Sequence, residues 1–192
     1  QALSDMGYQV NLWEHAFVHS TSPLYAPLKE HSADYEVWRG LVPDFADRRA
    51  QEIFAAHHAE TLVSSGVLGF KLDECDGSDH TRGWSFPDCS SFPSGLDGEQ
   101  MHCLFGTLYQ QAILIALGQR RTLSQVRCSG ALAAPYPFVL YSDLYDHGDF
   151  IRGLVGSGFS GILWTPELRD AKTKEDLLRR MQTLVFSPQM LI

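Results

Sequence analysis

The sequence is poor in the residues that mark small stapled or metal-held domains. Its 192 residues include four cysteines, and none of them forms a Cys-x-x-Cys pair. Cys75, Cys89, Cys103 and Cys128 therefore lack the usual spacing of a structural zinc site. Four cysteines in a chain of this length also make no disulfide scaffold. Eight histidines are present without a His-Glu-x-x-His pattern, so neither a metal nor another cofactor is expected. Basic runs are missing as well: 15 basic groups face 23 acidic ones, for a formal net charge of −8. Nucleic-acid binding rests on Lys and Arg clusters that displace phosphate counterions, and this composition excludes it. No apolar stretch nears the roughly 20 residues that cross a bilayer, so no membrane span is expected. No charged start, apolar block and small-residue cleavage site opens the sequence, which leaves the compartment unassigned. The first residue is Gln1 rather than Met, and the start is expected to be a cut.

What is present is a core. With 44% hydrophobic residues the composition is far from that of a disordered chain, and the length fits one domain that buries roughly 70% of its unfolded surface. Residues 7–13 alternate and close on Trp13, as a strand does. Residues 14–44 read as a loop of about 30 residues, a length usually kept for function. Asp44 reads as an N-cap for a helix over 46–62 with Ala50, Ile53 and Phe54 on one face. Gly66 follows as a C-cap, then a buried strand over 67–72. After a loop over 76–98 comes a helix with Met101, Leu104, Phe105, Leu108, Ala112 and Ile115 as its apolar stripe, ended by Gly118. Cys103, within it, is expected as a small buried hydrophobe. Strands are expected over 124–128, 136–141 and 159–164, with a short helix over 149–155. The last helix starts at a Thr173-x-x-Asp176 cap and carries Leu177, Leu178, Met181, Leu184 and Val185. Gly156-Ser-Gly-Phe-Ser-Gly161 matches G-x-G-x-x-G, but it follows a helix and precedes a strand. That is the reverse of a dinucleotide-binding turn.

Strands that alternate with helices predict an α/β fold with a parallel sheet. Each strand ends at a charged or aromatic residue, and in a parallel sheet those ends share one edge. In a (β/α)8 barrel that edge is the catalytic face; in an open doubly wound sheet it also binds ligands. The chemistry concentrates at Lys71-Leu-Asp73-Glu74-Cys-Asp76. Lys71 and Asp73 share a strand face because side chains alternate with period two. A cation beside a strand-end carboxylate suits a glycosidase nucleophile. Asp73, Asp76 and Asp79 do not follow the spacing of an EF-hand loop. Asp143, after the strand ending at Tyr141-Ser142, is the candidate partner acid, with Asp146 and Asp149 as rivals further on. Asp149 reads better as an N-cap. Trp13, Tyr141 and Trp164 stand at strand ends, where flat rings stack on sugar faces or pack the rim.

These segments resemble the catalytic barrel of glycoside hydrolase family 31, the α-glucosidase and α-xylosidase group. The family carries its nucleophile in Gly-x-x-x-Phe-Lys-x-Asp, and Gly66-Val-Leu-Gly-Phe-Lys-Leu-Asp73 matches. Arg127 and Asp143 keep the family's distance between a strand-end Arg and the acid/base. Leu12-Trp13-Glu14, the Asp44-Phe45 and Ala50 pattern, and Gly161-Ile-Leu-Trp164 with Glu167 match in order. The resemblance implies an incomplete (β/α)8 TIM barrel, about strands three to seven with their helices. It implies a retaining α-glycosidase without a metal, with Asp73 as nucleophile and Asp143 as acid/base. Lys71, Arg127, Trp13, Trp164, Tyr141 and Glu74 are the implied substrate contacts. The implied partners are an oligosaccharide or α-glycoside and the missing parts of the chain's own full-length protein. Tyr141-Ser-Asp143 departs from the Trp-x-Gly-Asp of many members, which leaves the sugar open among glucose, xylose, galactose and N-acetylgalactosamine. An α-galactosidase-type enzyme of the related families, and a non-catalytic sugar-binding or structural barrel piece, are the alternatives.

Overall fold

The computed structural model describes residues 2–76 and 85–191. Asp79 and Trp84, with part of the loop expected over 76–98, lie outside the described residues. The elements run α1 (Ala2–Asp5), β1 (Val10–His15), β2 (Val18–His19), α2 (Tyr25–Leu28), β3 (Ser32–Val37), β4 (Gly40–Pro43), α3 (Arg48–His58) and β5 (Val67–Asp73). They continue with α4 (Gly98–Leu117), β6 (Ser124–Val126), β7 (Phe138–Tyr141), α5 (His147–Phe159), β8 (Trp164–Thr165) and α6 (Lys174–Leu184). Five strands form a parallel sheet in the order β1-β5-β6-β7-β8. Among the described residues this sheet does not close on itself, and β1 and β8 are its edges.

β5, β6 and β7 form where expected, each a largely buried run between helices and sheet. Phe70 and Leu72 of β5 are fully buried. Gly66 turns the chain into β5 at φ +98, in the left-handed region that favours glycine. On α4, Asp97 and Gln100 close a capping box that satisfies two orphan N–H groups. Phe45, Phe54, Phe105 and Tyr109 then pack as one aromatic group between α3 and α4.

Several expectations are corrected. Residues 14–44 are not one long loop: they hold the antiparallel sheet β2-β4-β3 and α2. Its β3–β4 hairpin turns at Trp38 and Arg39, both at positive φ, where turn formers such as Asn and Gly are the usual signal. Asp44 does not cap α3. Asp47 does, accepting from the Arg49 N–H, while the buried Asp44 accepts from the N–H groups of Ala46 and Ser94. Asp146, not Asp149, caps α5. Residues 159–164 are not a strand: Phe159 ends α5, and Trp164 is the first residue of β8. On α4, Met101, Phe105 and Ala112 are fully buried as expected, but Ile115 is exposed and the buried face also takes in Tyr109 and Ile113. Cys103 is exposed. On α6 only Leu184 of the expected stripe is buried, and Leu177, Leu178, Met181 and Val185 are exposed.

Candidate active site

The parallel sheet brings the ends of β1, β5, β6 and β7 to one edge. Trp13 lies beside Lys71, and His15 beside Asp73, in the β1–β5 register. Arg127 follows β6, and its backbone N–H donates to the Leu72 carbonyl at 2.8 Å, which sets it against the end of β5. Gly106 of α4 permits this. A Cβ there would stand 1.9 Å from the Cys128 carbonyl oxygen, so α4 lies directly against the segment that carries Arg127.

Asp73 is the most engaged carboxylate. The Trp13 indole N–H donates to Oδ2 at 2.6 Å, and the Glu74 backbone N–H donates to Oδ1 at 2.8 Å. Arg127 Nη1 stands 3.6 Å from Oδ1. Glu74 reaches its position with φ +57, a strained conformation for a residue with a side chain. Its carboxyl is raised above the usual range, first by burial and then by the charge of Asp73.

Arg127 is shared. Nε donates to Asp76 Oδ2 at 3.0 Å, and Nη1 donates to Asp143 Oδ2 at 2.5 Å. Burial works against its charge, but Asp76, Asp143 and Asp73 outweigh that and its pKa rises. Lys71 Nζ stands 4.4 Å from the Tyr141 ring centroid, a cation–π contact. The Tyr141 hydroxyl is buried on the Asp73 side of the ring. Its pKa is pushed up by burial and then by Asp73.

The structure thus joins Trp13, Lys71, Asp73, Glu74, Arg127, Tyr141 and Asp143. Trp164 stands apart: it is 4% exposed, packs over Gly153, and donates its indole N–H to Ser142 at 3.1 Å. Three neighbours escaped the sequence reading as site residues. Asp76 anchors Arg127. Tyr145 accepts from Arg169 at 3.2 Å, and Arg169 pairs with Glu167. Trp38, from the hairpin tip, meets His15 edge-on at 5.2 Å, and His15 meets Trp13 at 5.6 Å. Only Asp76 carried a signal, as a member of the acidic run. No group of His, Cys, Asp and Glu suited to a metal is found among the described residues. An apolar hollow of about 710 Å³ lies between α5 and α6, lined by Ile151, Val155, Phe159 and Phe186. It contains none of these carboxylates.

Comparison with known proteins agrees with this frame. The model of the glycosyl hydrolases family 31 TIM-barrel domain matches residues 1–192. No curated protein matches the chain. Among solved structures, the chain is similar to a GH31 alpha-xylosidase from a soil metagenome complexed with xylose, at a TM-score of 0.80 and 20% identity. That match covers 99% of this chain and 32% of the other. It is also similar to a GH31 family sulfoquinovosidase from E. rectale, at 0.78 and 18%, covering 99% and 32%. A glucosidase II alpha subunit matches at 0.80 and 16%, covering 99% and 24%. The chain therefore spans about a third or less of the length of these structures. With the family model matched from end to end over a parallel barrel sheet, the chain belongs to glycoside hydrolase family 31 as a segment of its TIM-barrel domain.

Proposed function

We propose that the chain carries the catalytic carboxylates of a retaining α-glycosidase of α-glucosidase or α-xylosidase type. Asp73 attacks the anomeric carbon while Asp143 gives a proton to the departing glycosidic oxygen. Asp143 then takes a proton from water, and that water attacks the anomeric carbon and frees Asp73. The observation that carries this reading is the shared guanidinium. Arg127 Nη1 lies 3.6 Å from one Asp73 oxygen and 2.5 Å from one Asp143 oxygen. Those two distances place one oxygen of each carboxylate within about 6 Å of the other, a close approach of the kind a retaining pair uses. Asp73 is oriented by the Trp13 indole of β1 and by the Glu74 backbone N–H just after β5. Asp143 is the more exposed of the two, and its Oδ2 is held by Arg127.

In this reading Trp13, Lys71, Arg127 and Glu74 line the subsite of the cleaved sugar. Tyr141 supports Lys71 from beneath, and Trp164 sets the Ser142-Asp143 turn. The test is made on the full-length protein. Asp73→Asn is expected to abolish turnover of activated aryl α-glycosides with the thermal transition unchanged. Asp143→Asn is expected to cost most with poor leaving groups, which need the proton. Near-wild-type turnover by Asp73→Asn overturns the reading.

A further inference from the structure

Glu14 is adjacent to Trp13 yet points to the other side of the sheet, because successive strand side chains alternate. It is a largely but not fully buried carboxylate, with 16% of its side chain exposed. Both oxygens are taken by the helix layer. His58 Nε2, from α3, donates to Oε2 at 2.8 Å, and the Tyr109 hydroxyl, from α4, donates to Oε1 at 2.8 Å. His58 Nδ1 faces the Phe54 carbonyl at 2.8 Å, so both ring nitrogens meet acceptors, an arrangement that the imidazolium satisfies. Both donors are locked in place. The His58 ring stacks on Phe54 at 4.2 Å and meets Phe70 of β5 edge-on at 5.7 Å. Tyr109 is fully buried and stacks on Phe45 at 5.4 Å. Directly after His58, the chain leaves α-helical geometry for a π-helical turn over Ala59–Val63, a distortion frequent at functional sites.

Burying this carboxylate is costly, and apolar side chains would join strand to helices as firmly. An ion pair adds direction: it fixes where the end of β1 sits. That position matters, because one residue earlier the Trp13 N–H reaches Asp73 Oδ2 at 2.6 Å.

We propose that Glu14, held by His58 and Tyr109, is a positioning residue that sets the Trp13 indole N–H on Asp73. The proposal rests on the reading of Asp73 as nucleophile. It assigns the device to three residues on different elements, β1, α3 and α4, set behind the sheet from Asp73.

A double-mutant cycle in the full-length enzyme tests it, with an activated aryl α-glycoside as probe. Glu14→Gln is expected to lower kcat/KM by about tenfold or more, the scale of a small misplacement at a reacting centre. In a Trp13→Phe background, where the indole N–H is gone, the same change is expected to cost less than about twofold. Equal losses in both backgrounds, or no loss in either, overturn the proposal. Should Glu14→Gln fail to show a cooperative thermal transition, Tyr109→Phe, which deletes one hydroxyl, goes through the same cycle under the same criteria. Asp73→Asn runs in parallel. If it stays active, the functional reading fails. If it is inactive while the Glu14 and Trp13 effects add, only the positioning role fails.

Discussion

Gly106→Ala is the sharpest probe of how the site is held. Alanine for glycine inside an exposed helix is favourable by about 1 kcal/mol on propensity alone. Gly156 of α5 is such a position, with nothing within 4 Å of an added Cβ. Gly106 of α4 is not. Its Cβ would stand 1.9 Å from the Cys128 carbonyl oxygen and 2.8 Å from the carbonyl carbon. Both are backbone atoms, so no side chain can swing away. Relief to an ordinary contact needs a movement of about 1 Å or more, on the scale of the shifts that overpacking forces. The movement separates α4 from the chain beside Arg127 or drags that chain along. Overpacking typically costs about 1–3 kcal/mol, and the propensity gain of about 1 kcal/mol does not offset a backbone clash. The expected result is a destabilisation of about 2 kcal/mol for Gly106→Ala against a small stabilisation for Gly156→Ala. Thermal unfolding of the full-length protein measures the first quantity. Turnover of an aryl α-glycoside measures the second, and it should fall only in Gly106→Ala, because Arg127 carries the displacement to both carboxylates. A rise in Tm for Gly106→Ala, with turnover intact, refutes the close approach and the argument built on it.

Two further predictions follow from the charges. Arg127→Leu leaves Asp73, Asp76 and Asp143 without their shared cation, and should cost about 2 kcal/mol once solvent screening at the exposed carboxylates is allowed for. Arg127→Lys should recover much of that in Tm but not in kcat/KM, since a point charge cannot serve Asp76 through Nε and Asp143 through Nη1 together; wild-type turnover in Arg127→Lys contradicts the shared-fork reading. The His58 pKa is raised: burial lowers it, but the hydrogen bond and charge of Glu14 outweigh burial. A raised folded-state value contributes stability fully below the unfolded value of about 6.5, and loses it as pH rises through the folded value. The Tm gap between wild type and His58→Gln should therefore be widest near pH 6 and shrink on the alkaline side, measured by scanning calorimetry across pH. His15, lowered chiefly by burial, acts in the opposite sense in both proteins and cancels in the difference, whereas His57 is lowered by burial and then by the His58 charge, so its relief in His58→Gln trims the gap on the acid side. A gap that grows with pH contradicts the Glu14–His58 pair.

How far the sequence carried these residues depends on how far each one's partners lie along the chain. Lys71 and Asp73 were legible because strand alternation is local, and the structure leaves both on the Tyr141 and Arg127 side of the sheet. The β3–β4 hairpin was not legible. Trp38 and Arg39 turn the chain at positive φ without the Gly or Asn that signals such a turn, and tertiary contacts such as Trp38 on Phe17 and His15 supply the support. The α4 stripe holds at Met101, Phe105 and Ala112 and fails at Ile115. Periodicity alone favoured Ile115, while the aromatic group around Phe45 draws Tyr109 inward instead. Glu14 shows the limit most sharply. A carboxylate that ends a strand reads as a solvated residue, since buried Glu is rare unless paired. Its two partners lie 44 and 95 residues away, on helices whose own patterns mark His58 and Tyr109 only as members of a face. No local rule joins them. What joins them is the right-handed passage of a barrel, which returns each helix to the back of the sheet and so stacks α3 and α4 behind the end of β1. The candidate catalytic groups are legible because they sit where strands stop. The groups that aim them are legible only once the helices are folded behind.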